Sequence, residues 1–118
     1  MGTAGWDFSK LRALPLNERL DQSPPTLRSF LLEMISKLDP DHIWIFGSRA
    51  RGDHRMLSDL DIAVSFSPKN SGAWLDILSR AEDEIKTLLD IQWVRFDEAS
   101  QDMKQSILDE GITVYEKK

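Results

Sequence analysis

Apolar residues recur at helical spacing in three stretches of the chain and bunch into short β-rich runs between them. Leu27, Phe30, Leu31, Met34, Ile35 and Leu38 follow an i, i+3, i+4, i+7, i+8, i+11 series, one stripe on a helix of about four turns. Ser23-Pro24-Pro25 ahead of it offers Ser23 as N-cap and a proline at the first helical position. Asp39-Pro40-Asp41 stops it, because proline disfavours helical geometry in the residue before it. Trp74, Ile77, Leu78, Ala81, Ile85, Leu88 and Leu89 keep the same spacing, and Ser100 caps a third helix through Met103, Ile107 and Leu108 that Gly111 closes. Ile43-Trp44-Ile45-Phe46 is wholly apolar and ends at Gly47, which predicts a strand buried on both faces. Asp59 to Phe66 begins by alternating at period two, and Ile91–Phe96 and Ile112–Tyr115 supply two more strands.

The order α-β-loop-β-α-β-α-β predicts a two-layer α/β domain, with helices covering a small mixed sheet, over residues 23–118. Residues 1–22 differ: Trp6, Phe8, Leu11, Leu14, Leu16 and Leu20 are scattered among charges, and Pro15 interrupts any helix. They read as an N-terminal arm that packs its aromatics on the domain and carries no legible chemistry.

Composition narrows the function. A chain of 118 residues makes one domain of ordinary size. Its net charge of -5 excludes nucleic-acid binding through bulk charge, which needs a basic surface. With no cysteine, disulfides, thiolate metal sites and cysteine nucleophiles are excluded. No apolar run is long enough to span a bilayer, and the N-terminus lacks the basic start and apolar stretch of a secretory signal. The expectation is a soluble cytoplasmic protein with no membrane partner and no direct nucleic-acid partner.

Chemistry concentrates between Phe46 and Val64, FGSRARGDHRMLSDLDIAV. A strand runs into Gly47-Ser48, where the missing Cβ lets backbone approach a ligand and Ser48 opens a short helical turn whose free N–H groups suit phosphate oxygens. Arg49, Arg51 and Arg55 gather positive charge in an acidic chain, and guanidinium groups suit bidentate phosphate contacts. Asp59 and Asp61, two apart on a strand, leave the same face and repel one another. A hard divalent cation such as Mg2+ relieves that repulsion and keeps positions open for triphosphate oxygens. Each feature alone is ordinary solvated surface; their coincidence at neighbouring strand ends is not.

Gly47-Ser48, ten residues, then Asp59-x-Asp61 resembles the GS-x10-D-x-D signature of the polymerase-β-like nucleotidyltransferase superfamily. The small size, the wording GSRARG and SDLDIAV, and the closing ILDEGITVYEKK are similar to its minimal nucleotidyltransferase (MNT) family over residues 24–118. The resemblance implies a nucleotidyltransferase-like fold and Mg2+-dependent attack on the α-phosphate of a bound nucleotide. Gly47, Ser48, Arg49 and Arg51 are then the nucleotide-binding candidates, and Asp59 and Asp61 the catalytic metal ligands. Members of this size are often paired with a HEPN-domain protein, as antitoxins that move AMP from ATP to a tyrosine of the HEPN toxin. The family places a third carboxylate on a later strand, and here that position falls on Gln92. Glutamine is no general base and only a weak metal ligand. Asp90 shares the face two residues earlier; either it stands in through a shifted register, or two carboxylates suffice, or catalysis is lost.

Other residues carry less. His42 reads as a surface or turn residue, His54 as a solvated loop residue within reach of substrate, and Trp44, Trp74 and Trp93 as core. Trp6 belongs to no periodic element and is free for a partner interface, while Glu82-Asp83-Glu84 forms a solvated helix face. Two alternatives to a protein adenylyltransferase remain: a catalytically degenerate MNT fold that neutralises its partner by binding alone, and small-molecule nucleotidylation, for which no acceptor-holding helical domain fits in this length. An open chain of this kind also allows a homo-oligomer.

Overall fold

The computed structural model describes residues 8–53 and 58–118. A four-stranded mixed sheet runs in the order β3-β2-β1-β4, with β1 at His42–Phe46, β2 at Leu60–Ser65, β3 at Ile91–Arg95 and β4 at Ile112–Glu116. β1 is antiparallel to both β2 and β4, and β2 runs parallel to β3. That parallel step requires a crossover, and helix α4 (Ser71–Glu84) supplies it. The helices before and after it are α1 (Leu16–Arg19), α2 (Pro25–Leu38), α3 (Ser48–Arg51) and α5 (Gln101–Glu110). Among the described residues no helix is long and apolar enough to cross a membrane.

The alternation of β1 divides the interior in two. Ile43 and Ile45, with Leu60, Ile62 and Val64 of β2, face α2 and α4 in the main core. Trp44, Phe46 and Ala63 point the other way, onto Ile107 of α5, with Val94 and Phe96 packed alongside. Both faces of β1 are therefore buried, as its unbroken apolar run predicts. The α2 stripe is the largest contributor to the main core: Leu27, Leu31, Met34 and Leu38 are all fully buried, each worth about 1.5–3 kcal/mol of transfer free energy. Trp74 and Trp93 meet edge to face at 6.4 Å, with Phe66 and Phe30 against them, so these tryptophans are core as predicted.

The structure corrects four local readings. Ser23 is not the N-cap of α2; Pro24 is, and Ser23 lies one residue earlier with its hydroxyl buried. Helix α4 ends at Glu84, and Ile85 is already extended. Ile85 and Leu89 are buried while Leu88 is 78% exposed, so an irregular segment with bends continued the apolar spacing without continuing the helix. Phe96 leaves β3 for a 3-10 turn, Phe96–Glu98. His42 is no turn residue: it starts β1, half-buried, stacked 4.0 Å from the Trp44 ring with Nε2 2.8 Å from Thr113 Oγ1. Ser100 and Gly111 behave as predicted, Ser100 Oγ accepting from the Met103 N–H and the Gly111 N–H donating to Ile107 O.

The segment before α2 joins the same core. Phe8, Leu11 and Leu20 are buried in it, and Arg19 Nη1 donates to Thr113 O at 2.8 Å, holding α1 against β4. Trp6, His54 and Arg55 lie outside the described residues.

Burial lowers the His42 pKa below its ordinary 6.5, with Glu116 opposing weakly. The unfolded chain then binds the proton more tightly, so this contribution is complete above 6.5 and is lost as pH falls below that value. Urea unfolding should show stability declining roughly between pH 7 and pH 5, and a His42→Gln variant should flatten that slope.

Candidate active site

The site forms where β1 ends and β2 begins. Gly47 leaves β1 at φ 77, ψ -157, in the left-handed half of conformational space that favours glycine. A Cβ there would collide with Asp61 Oδ2. The Asp61 carboxylate thus lies directly on the Gly47 backbone, beside Ser48 at the start of α3. The strand register agrees, since Phe46 is opposite Asp61. Gly52 closes α3 at φ 85, its N–H donating to Ser48 O at 2.9 Å, and the short helical turn predicted after Gly47 is present.

Asp61 and Asp59 form an electrostatic pair. Burial pushes the half-buried Asp61 carboxyl up from its ordinary value, the negative charge of Asp59 adds to this, and Arg51 partly opposes it. Asp59 is exposed and lies just before β2, which starts at Leu60. Two carboxylates so placed, one of them ionised at a cost, fit a hard divalent cation that fills its remaining positions with water and phosphate oxygens.

Gln92 is opposite Asp61 in the parallel β2–β3 register. On β3 it alternates with Trp93 of the main core and shares the α5 side with Val94. Asp90 donates no third corner. Its carbonyl accepts the Leu60 N–H at 2.9 Å, which puts it level with Asp59, before both strands. No group of three or more His, Asp or Glu among the described residues is arranged to hold a metal ion. The register is not shifted, and the position beside Asp61 belongs to a neutral amide.

The two described arginines take different roles. Arg49 is 0% exposed, and its Nε donates to Ser58 O at 3.2 Å. A buried guanidinium must find internal partners, and one partner here is the backbone next to Asp59. The guanidinium of Arg49, expected at the phosphates, is thus buried with its Nε on the backbone one residue before Asp59. Arg51 is 41% exposed as a side chain and bridges Asp53 (3.0 Å) and Glu110 (3.1 Å). Sequence reasoning gave no role to Glu110, which lies 59 residues from Arg51 and whose carbonyl also accepts from Arg12 Nη2. No local signal marks it.

Residues 31–118 match the family described as Polymerase beta, Nucleotidyltransferase. No curated protein matches closely enough to count as a relative. Among solved structures, a toxin–antitoxin complex with AMP-PNP superposes with TM-score 0.54 at 23% identity, covering 80% of this chain and 73% of that one. A mutant MntA–HpeT toxin–antitoxin pair gives TM-score 0.57 at 24% identity, covering 80% and 72%. A nucleotidyltransferase-like protein from Sulfolobus solfataricus, itself described only as putative, gives 0.50 at 18% over 98% and 94%. At these identities the structures share the fold.

Replacing Gly47 by alanine tests the close approach. We expect a loss of about 1–3 kcal/mol in urea unfolding from backbone strain and the displaced Asp61 carboxylate, whereas Gly72→Ala, where a Cβ meets nothing within 4 Å, should cost far less. The family match and this constellation together identify the chain as a member of the polymerase beta nucleotidyltransferase family.

Proposed function

We propose that the protein is an Mg2+-dependent adenylyltransferase that moves AMP from ATP to a tyrosine of a HEPN-type toxin and so acts as its antitoxin. The observation that carries this reading is the Asp61 carboxylate seated on Gly47 beside Ser48, with Asp59 next to it. The likeness to toxin–antitoxin complexes, one solved with AMP-PNP, supports the choice of partner and nucleotide.

Asp59 and Asp61 would hold the metal ion, which when bound offsets charge on the α-phosphate as it is attacked. Gly47 and Ser48, where β1 gives way to α3, are the candidates for the terminal phosphates. Arg51 places positive charge near the same cleft. The tyrosine oxygen bonds to the α-phosphorus, the bond to the bridging oxygen breaks, and pyrophosphate leaves with the electron pair. The phenolic proton passes to water, because the β3 position offers an amide and no carboxylate. A phenol, with a pKa near 10, releases its proton far more readily than an aliphatic alcohol. A site without a general base is therefore matched to tyrosine rather than serine or sugar hydroxyls.

Asp59→Asn and Asp61→Asn should each abolish AMP addition to the partner, read as its mass gain, while circular dichroism stays unchanged. Undiminished transfer by both variants would overturn the metal-site assignment. Gln92 also favours a second reading, an MNT fold that neutralises its partner by binding alone. If Gln92→Asp creates transfer that the natural protein lacks, that second reading is correct; if the natural protein already transfers, it fails.

A further inference from the structure

The two outer edges of the sheet are treated differently. Along β4 the edge is covered by α1, with Arg19 donating to Thr113 O. Beyond β3 no described strand follows. Because the Asp90 carbonyl accepts from Leu60 N–H, the strand alternation turns the backbone groups of Gln92 and Val94 toward β2 and those of Ile91, Trp93 and Arg95 outward. Beside this edge a pocket of about 420 Å³ opens between the end of α4 and β3. Its lining is mixed and more polar than apolar: Leu78, Ala81, Ile85 and Trp93 are joined by Glu82 and Asp90. Across residues 82–90 four carboxylates stand against the single ammonium of Lys86. Glu84 is paired with Arg80, while Glu82, Asp83 and Asp90 have no ion-pair partner among the described residues.

We infer that the β3 edge receives the acceptor segment of the partner protein as an added strand, and that this segment is extended and basic, with its acceptor hydroxyl residue flanked by apolar ones. The inference rests on the transferase reading above. An added strand alternates faces. Residues on either side of the acceptor then enter this pocket against Leu78, Ala81 and Trp93, and the acceptor, level with Gln92, emerges on the face of Asp61. Two strand spacings place its backbone roughly 10 Å from that of Asp61, a gap that a tyrosine and the α-phosphate close between them. The unpaired carboxylates select lysine or arginine in the flanks.

The test uses the full chain and the peptide acetyl-Lys-Leu-Tyr-Leu-Lys-amide, followed by amide hydrogen exchange. Exchange at Ile91 and Trp93 should slow at least roughly tenfold, while Thr113 and Tyr115 of β4 stay unchanged. Proline in place of both leucines of the peptide should remove the effect, and Glu82→Lys in the protein should weaken peptide binding by about tenfold. Amides at Ile91 and Trp93 that ignore the peptide overturn the inference. So does protection already present without peptide that tracks dimerisation, which would assign the edge to a second copy. Addition of Mg2+ and ATP separates the two proposals. Protection without AMP on the peptide tyrosine sustains the edge site and overturns the transferase reading, whereas AMP gain without protection overturns the edge site alone.

Discussion

A carboxylate resting on a glycine α-carbon organises this protein. The contact between Asp61 and Gly47 is possible only without a Cβ, and it ties the end of β1 to the start of β2. Everything chemical follows from that junction. Ser48 starts α3 beside the carboxylate, Asp59 lies within its field, and Arg51 acts on it through space. The half-burial that raises the Asp61 pKa also makes a neutralising cation valuable there. An acidic pair in open water would gain much less from one.

The surrounding structure serves to keep this junction in place. Arg49, fully buried, anchors the backbone at Ser58, immediately before the acidic pair. Arg51 reaches Glu110 at the end of α5, and Arg12 donates to the carbonyl of the same glutamate. The N-terminal segment, α3 and α5 therefore converge on Glu110. Beneath them the apolar contacts of β1 on both faces fix the strand from which Gly47 departs.

Gln92 sets the chemical character of the site. It faces Asp61 across a regular parallel register, so the position is filled by an amide and not vacated by a slipped strand. In the proposed reaction an amide at this position leaves the readiness to lose a proton to the acceptor, and the same strand carries the sheet's uncovered edge.

The alternation around Asp61, with Leu60 and Ile62 in the core, was legible because a half-buried strand must keep period two. Gly47-Ser48 was legible because a strand that ends in glycine before a polar turn has few other readings. The α4 boundary was not legible: Ile85 and Leu89 are buried from an irregular, bent segment that happens to keep helical spacing, and periodicity does not distinguish the two. Nor did the chain say which arginine of Gly47–Gly52 would be buried, since Arg49 and Arg51 have the same local surroundings. By itself the sequence determined the elements, the acidic pair and the glycine turn, because these depend on residues near one another along the chain. The tertiary structure alone decided that Arg49 points inward, that Glu110 meets Arg51, and that Gln92 stands beside Asp61 while Asp90 does not. Those outcomes depend on contacts between distant segments, which burial and strand register set only once the sheet has formed.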